Sequence, residues 1–456
     1  MLRERILKGP ILKTMMTLAW PVMVSNGLQA FYNLIDAFWL GKVSTQALSA
    51  PTLAWPIVFT FMSLGMGYQM AGSTLVAQYT GAGDQKGANR AGTQAFSFLF
   101  LLSIVAAAVG YGLAPGILKL LRAPSDVYPL AVGYLRIVSL GFPLMYGAFA
   151  FTGLLLGVGD TRTPMYLNGA SVVLNAVLDP LFIFGWGPLP GLGVAGAAVA
   201  TVLSRGLAGI VGIGLLASGR LGLRLCPSYL LPRWGYVKKI LGVGTPNVVD
   251  HVGTSLGFTV IMGLVAGFGT TTVAAYGVGQ RMINLFNTAI WGATSALLTM
   301  VGQNLGADQV ERAEEITRRG IRATFLVLVG LAALLFALRR PLYLIFISDP
   351  HVIEEGSLFL AVFVPSVPFF GLFAAASSVF RGSGHTVPPM VMALLRLWGL
   401  RVFLSWLLGY RLSLGPLGLW AGMSLSNLLG GLLLYGWLLR GTWKGKVIQP
   451  EEVLVP

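Results

Sequence analysis

The amino-acid sequence predicts an all-α polytopic membrane protein built from two parallel six-helix repeats. Three observations support this prediction. First, 55% of the 456 residues are hydrophobic and only 10% are charged, whereas soluble domains carry charge on about a quarter of their residues. Second, apolar stretches of helical length recur along the whole chain. Third, a motif from the first half of the chain returns in the second half.

Twelve apolar stretches are each long enough to cross about 30 Å of hydrocarbon as a helix rising about 1.5 Å per residue. The first six lie at residues 11–40, 47–79, 91–118, 128–156, 164–186 and 192–217. The second six lie at residues 236–266, 272–301, 320–338, 356–380, 390–408 and 417–439. We therefore expect twelve transmembrane helices, six in each half.

The repeat is clearest in a loop motif. G-V-G-D-T-R-T-P-M at 157–165 returns as G-S-G-H-T-V-P-P-M at 382–390, and the same offset of 225 residues carries Pro21 to Pro246. Because each copy has an even number of helices, the second copy begins on the side where the first began, which makes the repeats parallel. We expect an N-terminal lobe at 1–219, a cytoplasmic linker at 220–235 and a C-terminal lobe at 236–456.

Charge predicts the orientation and excludes one class of partner. The net charge is +15, and most of the 31 Lys and Arg residues lie in the termini and the even-numbered loops. By the positive-inside rule both termini are cytoplasmic, in the plasma or inner membrane of the cell. No basic soluble domain is inserted, so nucleic acid is not an expected partner. The expected partners are the lipid bilayer and small amphipathic molecules, and we expect a monomer.

The sequence offers little for catalysis. Cys226 is the only cysteine, and the three histidines are scattered, so no motif for a metal site is present. Asp160 lies in a G-x-G-D motif that also occurs in intramembrane aspartyl proteases, but a duplicated turn explains it better because the second copy has His385 there. Asp84 and Asp308 follow the second and eighth stretches, where an acid favours a helix N-terminus. We expect neither an enzyme nor a cofactor.

Polar side chains form a stripe along the first predicted helix. Its members are Asn26, Gln29, Asn33 and Asp36, spaced three, four and three residues apart. This spacing puts all four on one helical face, and Tyr32 lies one step aside. We expect Asn26, Gln29, Tyr32 and Asn33 to line a substrate cavity.

The fifth predicted helix carries a second stripe of the same kind. Its members are Asn168, Ser171, Asn175 and Asp179. Pro180 follows the acid and removes a backbone donor, which should bend the helix and leave a carbonyl oxygen for a cation or water. Thr201 on the sixth stretch can add a hydroxyl oxygen.

Two carboxylates inside one apolar lobe require an explanation, because a charged side chain in mid-membrane costs about 2.5–3.5 kcal/mol on insertion scales. The Asn and Gln residues alone could simply join helices by hydrogen bonds. No basic residue of the first or fifth stretch is available to pair with Asp36 or Asp179, although Arg205 on the sixth stretch is one available partner or a snorkelling residue. An unpaired buried carboxylate responds by binding a proton or a cation. Oxygen ligands also suit Na⁺, so Asp36, Asn175, Asp179 and Thr201 are candidates for coupling to H⁺ or Na⁺.

The second copy lacks both of these acids. Asp36 and Asp179 correspond to Ile261 and Leu404. A different polar set is present on the seventh and eighth stretches: Asn247, Asp250, His251, Thr254, Tyr276, Gln280, Asn284 and Asn287. Of these, Gln280 and Asn284 are expected to line the substrate cavity, while Asp250 is either a cap near the start of its helix or a functional group.

Several motifs resemble those of the multidrug and toxic compound extrusion family. They are P-V-M-V-S-N-x-x-Q-x-x-Y-N-L-I-D, V-A-Q-Y-x-G-A-G, G-x-G-D-T-R-T-P and L-N-A-V-L-D-P, and the resemblance covers essentially the whole chain. It implies two bundles enclosing a central V-shaped cavity, and export of amphipathic, often cationic, compounds in exchange for H⁺ or Na⁺. The chain is most similar to the DinF-like and archaeal branch, because the NorM-like branch uses an acid in span ten that is missing here.

This resemblance assigns roles to individual residues. The matching coupling positions are Asp36, Asn175 and Asp179, with Thr201 less closely aligned, and Pro21 matches the proline at which the first helix is proposed to bend. Pro180 is a second hinge candidate. The alternative transporter is a flippase for a lipid-linked oligosaccharide, which would have a more cationic central cavity and usually extra helices.

Overall fold

The computed structural model describes residues 2–121, 123–187 and 189–448. Nearly all of these residues are helical, and the two strands form a single short antiparallel hairpin in which Gly185 pairs with Pro190. The elements of the first half are α1 (Leu2–Lys8), α2 (Ile11–Gly41), α3 (Thr45–Ala82), α4 (Gln85–Leu120), α5 (Tyr128–Leu140), α6 (Phe142–Val158), α7 (Arg162–Phe184), β1 (Gly185–Trp186), β2 (Leu189–Pro190) and α8 (Val194–Ala217).

The second half follows the same order after a single 3₁₀ turn at Pro227–Tyr229. Its helices are α9 (Trp234–Ala266), α10 (Thr270–Gly306), α11 (Val310–Phe346), α12 (Pro350–Phe363), α13 (Val367–Ser383), α14 (Val387–Leu394), α15 (Phe403–Trp406) and α16 (Gly415–Leu439). A 3₁₀ turn at Val364–Ser366 joins α12 to α13. Two π-helical stretches, Leu395–Val402 and Leu407–Arg411, flank α15 and continue the eleventh predicted helix.

The prediction of an all-α membrane protein is confirmed. Within the described ranges, ten helical segments are long and apolar enough to cross a membrane, and α5 with α6 forms an eleventh, bent by 50°. The bend lies at Gly141, next to Pro143 in the first turn of α6, where proline removes a backbone donor. The first predicted span, α2, is not in this group because its polar stripe lowers its hydropathy, yet it is continuous over 31 residues.

The repeated loop motif forms the same turn twice. Gly159 and Gly384, related by the repeat, both adopt left-handed backbone with φ of 97° and 86°, which glycine tolerates without a Cβ clash. Asp160 Oδ1 then accepts hydrogen bonds of 3.0 Å from the backbone N–H groups of Arg162 and Thr163 at the start of α7. Asp160 is therefore a capping residue in a duplicated turn.

The other two loop acids differ from each other. Asp84 is the N-cap of α4 and accepts a 2.8 Å hydrogen bond from the backbone N–H of Gly87, as predicted. Asp308 lies two residues before α11, near the helix N-terminus as expected, while Gln309 is the N-cap. Asp308 adopts φ of 59° where the first copy has Gly83, and its carboxylate forms an ion pair with Lys446 at 2.6 Å.

The chain divides into two compact units. One is Pro21–Val248, and the other combines Arg3–Trp20 with residues 249–448. The division falls inside α2 and α9, beside Pro21 and close to its counterpart Pro246, whereas the sequence suggested lobes separated at 220–235. In the second unit Trp420 anchors the core, stacked at 5.7 Å on Tyr276.

Candidate functional site

The two acids of the first copy lie in the unit Pro21–Val248, on α2 and α7. Asn175 Nδ2 donates a hydrogen bond of 2.9 Å to Asp179 Oδ1, one helical turn away, and both side chains are fully buried. Asp36 on α2 is near enough for its charge to act on Asp179. The helical spacing predicted from sequence thus brings an amide and a carboxylate into direct contact, with a second carboxylate within electrostatic range.

Several oxygen atoms of this acidic group have no hydrogen-bond partner. Among the residues that the structure describes, Asp36 Oδ1, Asp179 Oδ2 and Asn175 Oδ1 are buried and accept no hydrogen bond. Buried polar atoms are almost always satisfied, and an unsatisfied carboxylate oxygen in an apolar setting is costly. A proton or a hard cation bound to these oxygens would remove that cost.

A cavity of about 330 Å³ opens beside Asp36. Its polar lining includes Tyr32, Asn33, Thr201 and Arg205 as well as Asp36 itself, while Asp179 lies outside its lining. The guanidinium of Arg205 lies 4.6 Å from the ring centroid of Tyr32, and its charge acts on Asp36. The predicted residue Thr201 therefore shares a cavity with Asp36, and Arg205 is part of the site's electrostatics.

Close packing of α8 on α7 positions the side of this cavity that contains Thr201 and Arg205. Gly196 faces the carbonyl group of Phe182, so a side chain at position 196 would collide with the α7 backbone. The loop before α8 also bonds to α7, since the backbone N–H of Gly193 donates to the carbonyl of Ile183 at 3.0 Å. Thr201 follows within the next two turns of α8.

A second cavity of about 390 Å³ lies along the polar stripe of α2. Asn26, Gln29 and Asn33 line it, and Asn168 Nδ2 donates to the Ser25 carbonyl at 3.1 Å. The two cavities share five lining residues: Asn33, Trp55, Met62, Met145 and Arg205. Polar groups from α2 and α7 thus face a wall that also contains aromatic and methionine side chains.

The two hinge candidates lie inside uninterrupted helices. Pro21 is within α2, which runs from Ile11 to Gly41, and Pro180 is within α7, which continues to Phe184. Each proline removes one backbone hydrogen bond from its helix. Both helices therefore contain a weakened turn without being broken there.

The second unit contains a separate cavity of about 270 Å³. Asp250 lines it, is buried, and pairs with Arg381 at 2.5 Å while accepting a 3.2 Å hydrogen bond from Thr254 Oγ1. Asp250 is therefore part of this cavity rather than a surface cap. Gln280 also lines it, whereas Asn284 is exposed and accepts a hydrogen bond from Asn287.

Among the residues of this cavity that sequence reasoning missed are Arg396 and Arg401. Both are buried, with 4% and 5% of their surface exposed, and both lie in the π-helical stretch Leu395–Val402. A signal was present, since two arginines interrupt the middle of the apolar stretch 390–408.

Comparisons with known proteins bear on the whole chain. The family model MatE matches residues 21–181 and again residues 246–407. The chain is 29% identical to the probable multidrug resistance protein YpnP of Bacillus subtilis over 98% of each chain. It is 27% identical to an FAD transporter of Shewanella oneidensis over 95% of each.

The fold is also similar to a solved structure, the crystal structure of MATE in the bent conformation. The TM-score is 0.90 at 22% identity, covering 97% of this chain and 98% of that one. The double family match starts at Pro21 and at Pro246, the two prolines related by the repeat. The chain is therefore a multi-pass membrane transporter of the MatE, or multidrug and toxic compound extrusion, family.

Proposed function

We propose that the protein is an antiporter that exports amphipathic organic compounds in exchange for H⁺ or Na⁺. The observation that supports this most strongly is the pair of carboxylates in one unit, Asp36 and Asp179, each with a buried oxygen that accepts no hydrogen bond from the described residues. Asn175 and Thr201 add neutral oxygens. Such a group gains stability from a bound proton or cation and loses charge repulsion between the two acids.

Ion binding would act on α2 through charge. A proton on Asp36 removes a charge that Arg205 attracts and Asp179 repels. The helix is weakest at Pro21, where one backbone hydrogen bond is missing, so a change of force at Asp36 would bend α2 there. One charge crossing about 100 mV supplies about 2.3 kcal/mol, enough for roughly a 50-fold substrate gradient.

The orientation and the branch belong to the same proposal. The positive-inside rule supports cytoplasmic termini, and the acids of the first copy support the DinF-like branch. The flippase alternative is less well supported, because the helices of membrane-spanning length in the described residues, α2 and the eleven segments above, number no more than twelve.

The relatives support small organic substrates of more than one kind. One is named a probable multidrug resistance protein and another an FAD transporter. The cavity beside α2 combines amides with the apolar side chains of Trp55, Met62 and Met145. Flexible methionines and aromatic rings adapt to varied ligands, which suits broad specificity for amphiphiles.

Transport in proteoliposomes tests the proposal. Fluorescent amphiphiles of different charge should accumulate when an H⁺ or a Na⁺ gradient is imposed separately, and one of the two ions should drive the parent protein. Asp36→Asn should lose this accumulation, while Asp126→Asn, at an exposed loop acid, should keep it. Accumulation that needs neither gradient would refute the antiport proposal.

A further inference from the structure

The cavity of the second unit has an excess of positive charge. Its lining includes Arg381, Arg396 and Arg401 but a single acid, Asp250. The oxygens of that acid bond to Arg381 and Thr254. Within the described part of the chain, neither Arg396 nor Arg401 forms an ion pair with a carboxylate, although the charge of Asp250 acts on Arg396 without direct contact. Three guanidiniums therefore face one carboxylate in this cavity.

Neutral groups hold both guanidiniums in place. Asn427 Oδ1 accepts from Arg396 Nη1 at 3.2 Å and also accepts from Arg401 Nη2, and Arg401 Nε donates to Ser426 Oγ at 3.0 Å. Arg396 Nε is buried and, among described residues, donates to none. A guanidinium has five N–H donors, so these few bonds position the groups and leave donors for a ligand.

Aromatic rings flank the same two cations. The Arg396 guanidinium lies 4.8 Å from the ring centroid of Phe373, and that of Arg401 lies 5.8 Å from Phe363. Cation–π contacts reduce the cost of burying a charge but do not neutralise it. The arginines also lie in a π-helical stretch, a local geometry that is common at functional sites.

Packing of the helices against one another does not by itself account for this arrangement. A buried charged group is ordinarily paired with a group of opposite charge. Replacing a buried ion pair by apolar residues is often neutral or stabilising. The repeat offers the comparison directly, because Arg396 and Arg401 stand where the first copy has Ser171 and Ala176. The first copy folds the same pair of helices without any arginine at those positions.

From these contacts we infer that the second unit's cavity binds an anionic group, such as a carboxylate, sulfonate or phosphate, carried by an amphipathic substrate. A guanidinium fork matches the oxygens of such groups, while Phe363, Phe370 and Phe373 contact the apolar part. The role as a substrate site rests on the proposed export function, which it narrows to anionic or zwitterionic amphiphiles.

Equilibrium binding to the full chain in nanodiscs tests this inference without any ion gradient. The probes share one fluorophore: pyrenebutyrate is anionic, pyrenebutanol neutral and pyrenebutyltrimethylammonium cationic, and empty nanodiscs correct for lipid partitioning. In phosphatidylcholine nanodiscs the parent should bind pyrenebutyrate at least tenfold more tightly than pyrenebutanol. Equal binding of the two probes by the parent protein would overturn the inference, whatever the variants do.

Variants separate charge from shape. Arg396→Gln with Arg401→Gln should reduce the preference for the anion by about tenfold or more and leave pyrenebutanol binding unchanged. The Arg→Lys pair should retain part of the preference, and the exposed Arg440→Gln should retain all of it. If the Gln pair keeps the full preference, the inference is wrong.

Two further arms define the source of the anion and separate this inference from ion coupling. In phosphatidylglycerol nanodiscs, unchanged pyrenebutyrate binding supports a soluble amphiphile, whereas competitive loss of binding supports the same site occupied by a lipid headgroup. Asp36→Asn should keep the anion preference although it loses gradient-driven transport. A negative result for ion coupling would therefore leave the anion-binding result intact. A negative result for anion binding would likewise leave the ion-coupling proposal intact.

Discussion

Asn175 donates its side-chain amide to Oδ1 of Asp179 at 2.9 Å, with both side chains fully buried. The remaining oxygens, Asn175 Oδ1 and Asp179 Oδ2, accept no hydrogen bond from any described residue. The pair therefore contains one satisfied and two unsatisfied acceptors. The amide stabilises the ionised carboxylate, while its own oxygen remains available as a ligand.

Asn175→Ala should identify the coupling ion. If the ion is H⁺, loss of the amide donor destabilises the ionised carboxylate by about 1.5–3 kcal/mol, and half-maximal transport should move to higher pH. If the ion is Na⁺, loss of an oxygen ligand should raise the Na⁺ concentration needed for half-maximal transport by about tenfold or more. The measurement is initial transport rate against pH and against Na⁺ concentration.

Asn168→Ala is the matched control for that variant. Asn168 lies on the same face of α7 but donates to the Ser25 carbonyl rather than to an acid. Its ion dependence should equal that of the parent. A parental pH and Na⁺ dependence in Asn175→Ala as well would contradict the assigned role of the Asn175–Asp179 pair.

The sequence predicts most of this fold and part of the site, for physical reasons that can be named. Helical spacing is enough to pair Asn175 with Asp179, because residues four apart face each other. The bend between α5 and α6 was missed, since the span remains apolar through Gly141. The position of Asp308 near the start of α11 could be predicted, but its left-handed backbone depends on the turn geometry. For Arg396 and Arg401, only the three-dimensional contacts show that neither forms an ion pair with a carboxylate of a described residue.

Pro21→Ala should make α2 more stable and transport slower. Alanine restores the backbone hydrogen bond that proline removes, worth up to about 3 kcal/mol in a helix interior. We expect a higher melting temperature in detergent and transport reduced at least tenfold, with pyrene-probe binding unchanged. Pro246→Ala is the matched variant in the second copy, which lacks the acids, and should affect transport less. Equal, near-parental transport in both variants would exclude Pro21 as the hinge.

Asp160→Ala should lower stability without abolishing transport. Asp160 caps α7 through two backbone N–H groups, and loss of such a cap costs about 0.5–2 kcal/mol. Thermal unfolding in detergent measures the loss, and Asp126→Ala, at an exposed loop acid, should show little change. Complete loss of transport in a protein that unfolds at the parental temperature would assign Asp160 a functional role instead.

His385 makes stability sensitive to acid. It lies in the turn between α13 and α14, outside the membrane spans, and burial lowers its pKa below the usual range. The unfolded chain therefore binds a proton more readily, so this contribution to stability is present above about pH 6.5 and is lost as pH falls below it. The melting temperature of His385→Gln should fall less than that of the parent between about pH 8 and about pH 5. An identical pH dependence would show that His385 does not contribute.

The most direct test of the coupling site is to compare gradient-driven accumulation with substrate counterflow for Asp36→Asn and Asp179→Asn in proteoliposomes. Counterflow exchanges labelled for unlabelled substrate at equal ion concentrations, so it reports binding and helix movement without coupling. If Asp36 and Asp179 are the coupling carboxylates, both variants should keep counterflow and lose gradient-driven accumulation. Asp126→Asn should keep both activities. Gradient-driven accumulation at the parental rate in either variant would contradict the assignment of the coupling site to Asp36 and Asp179.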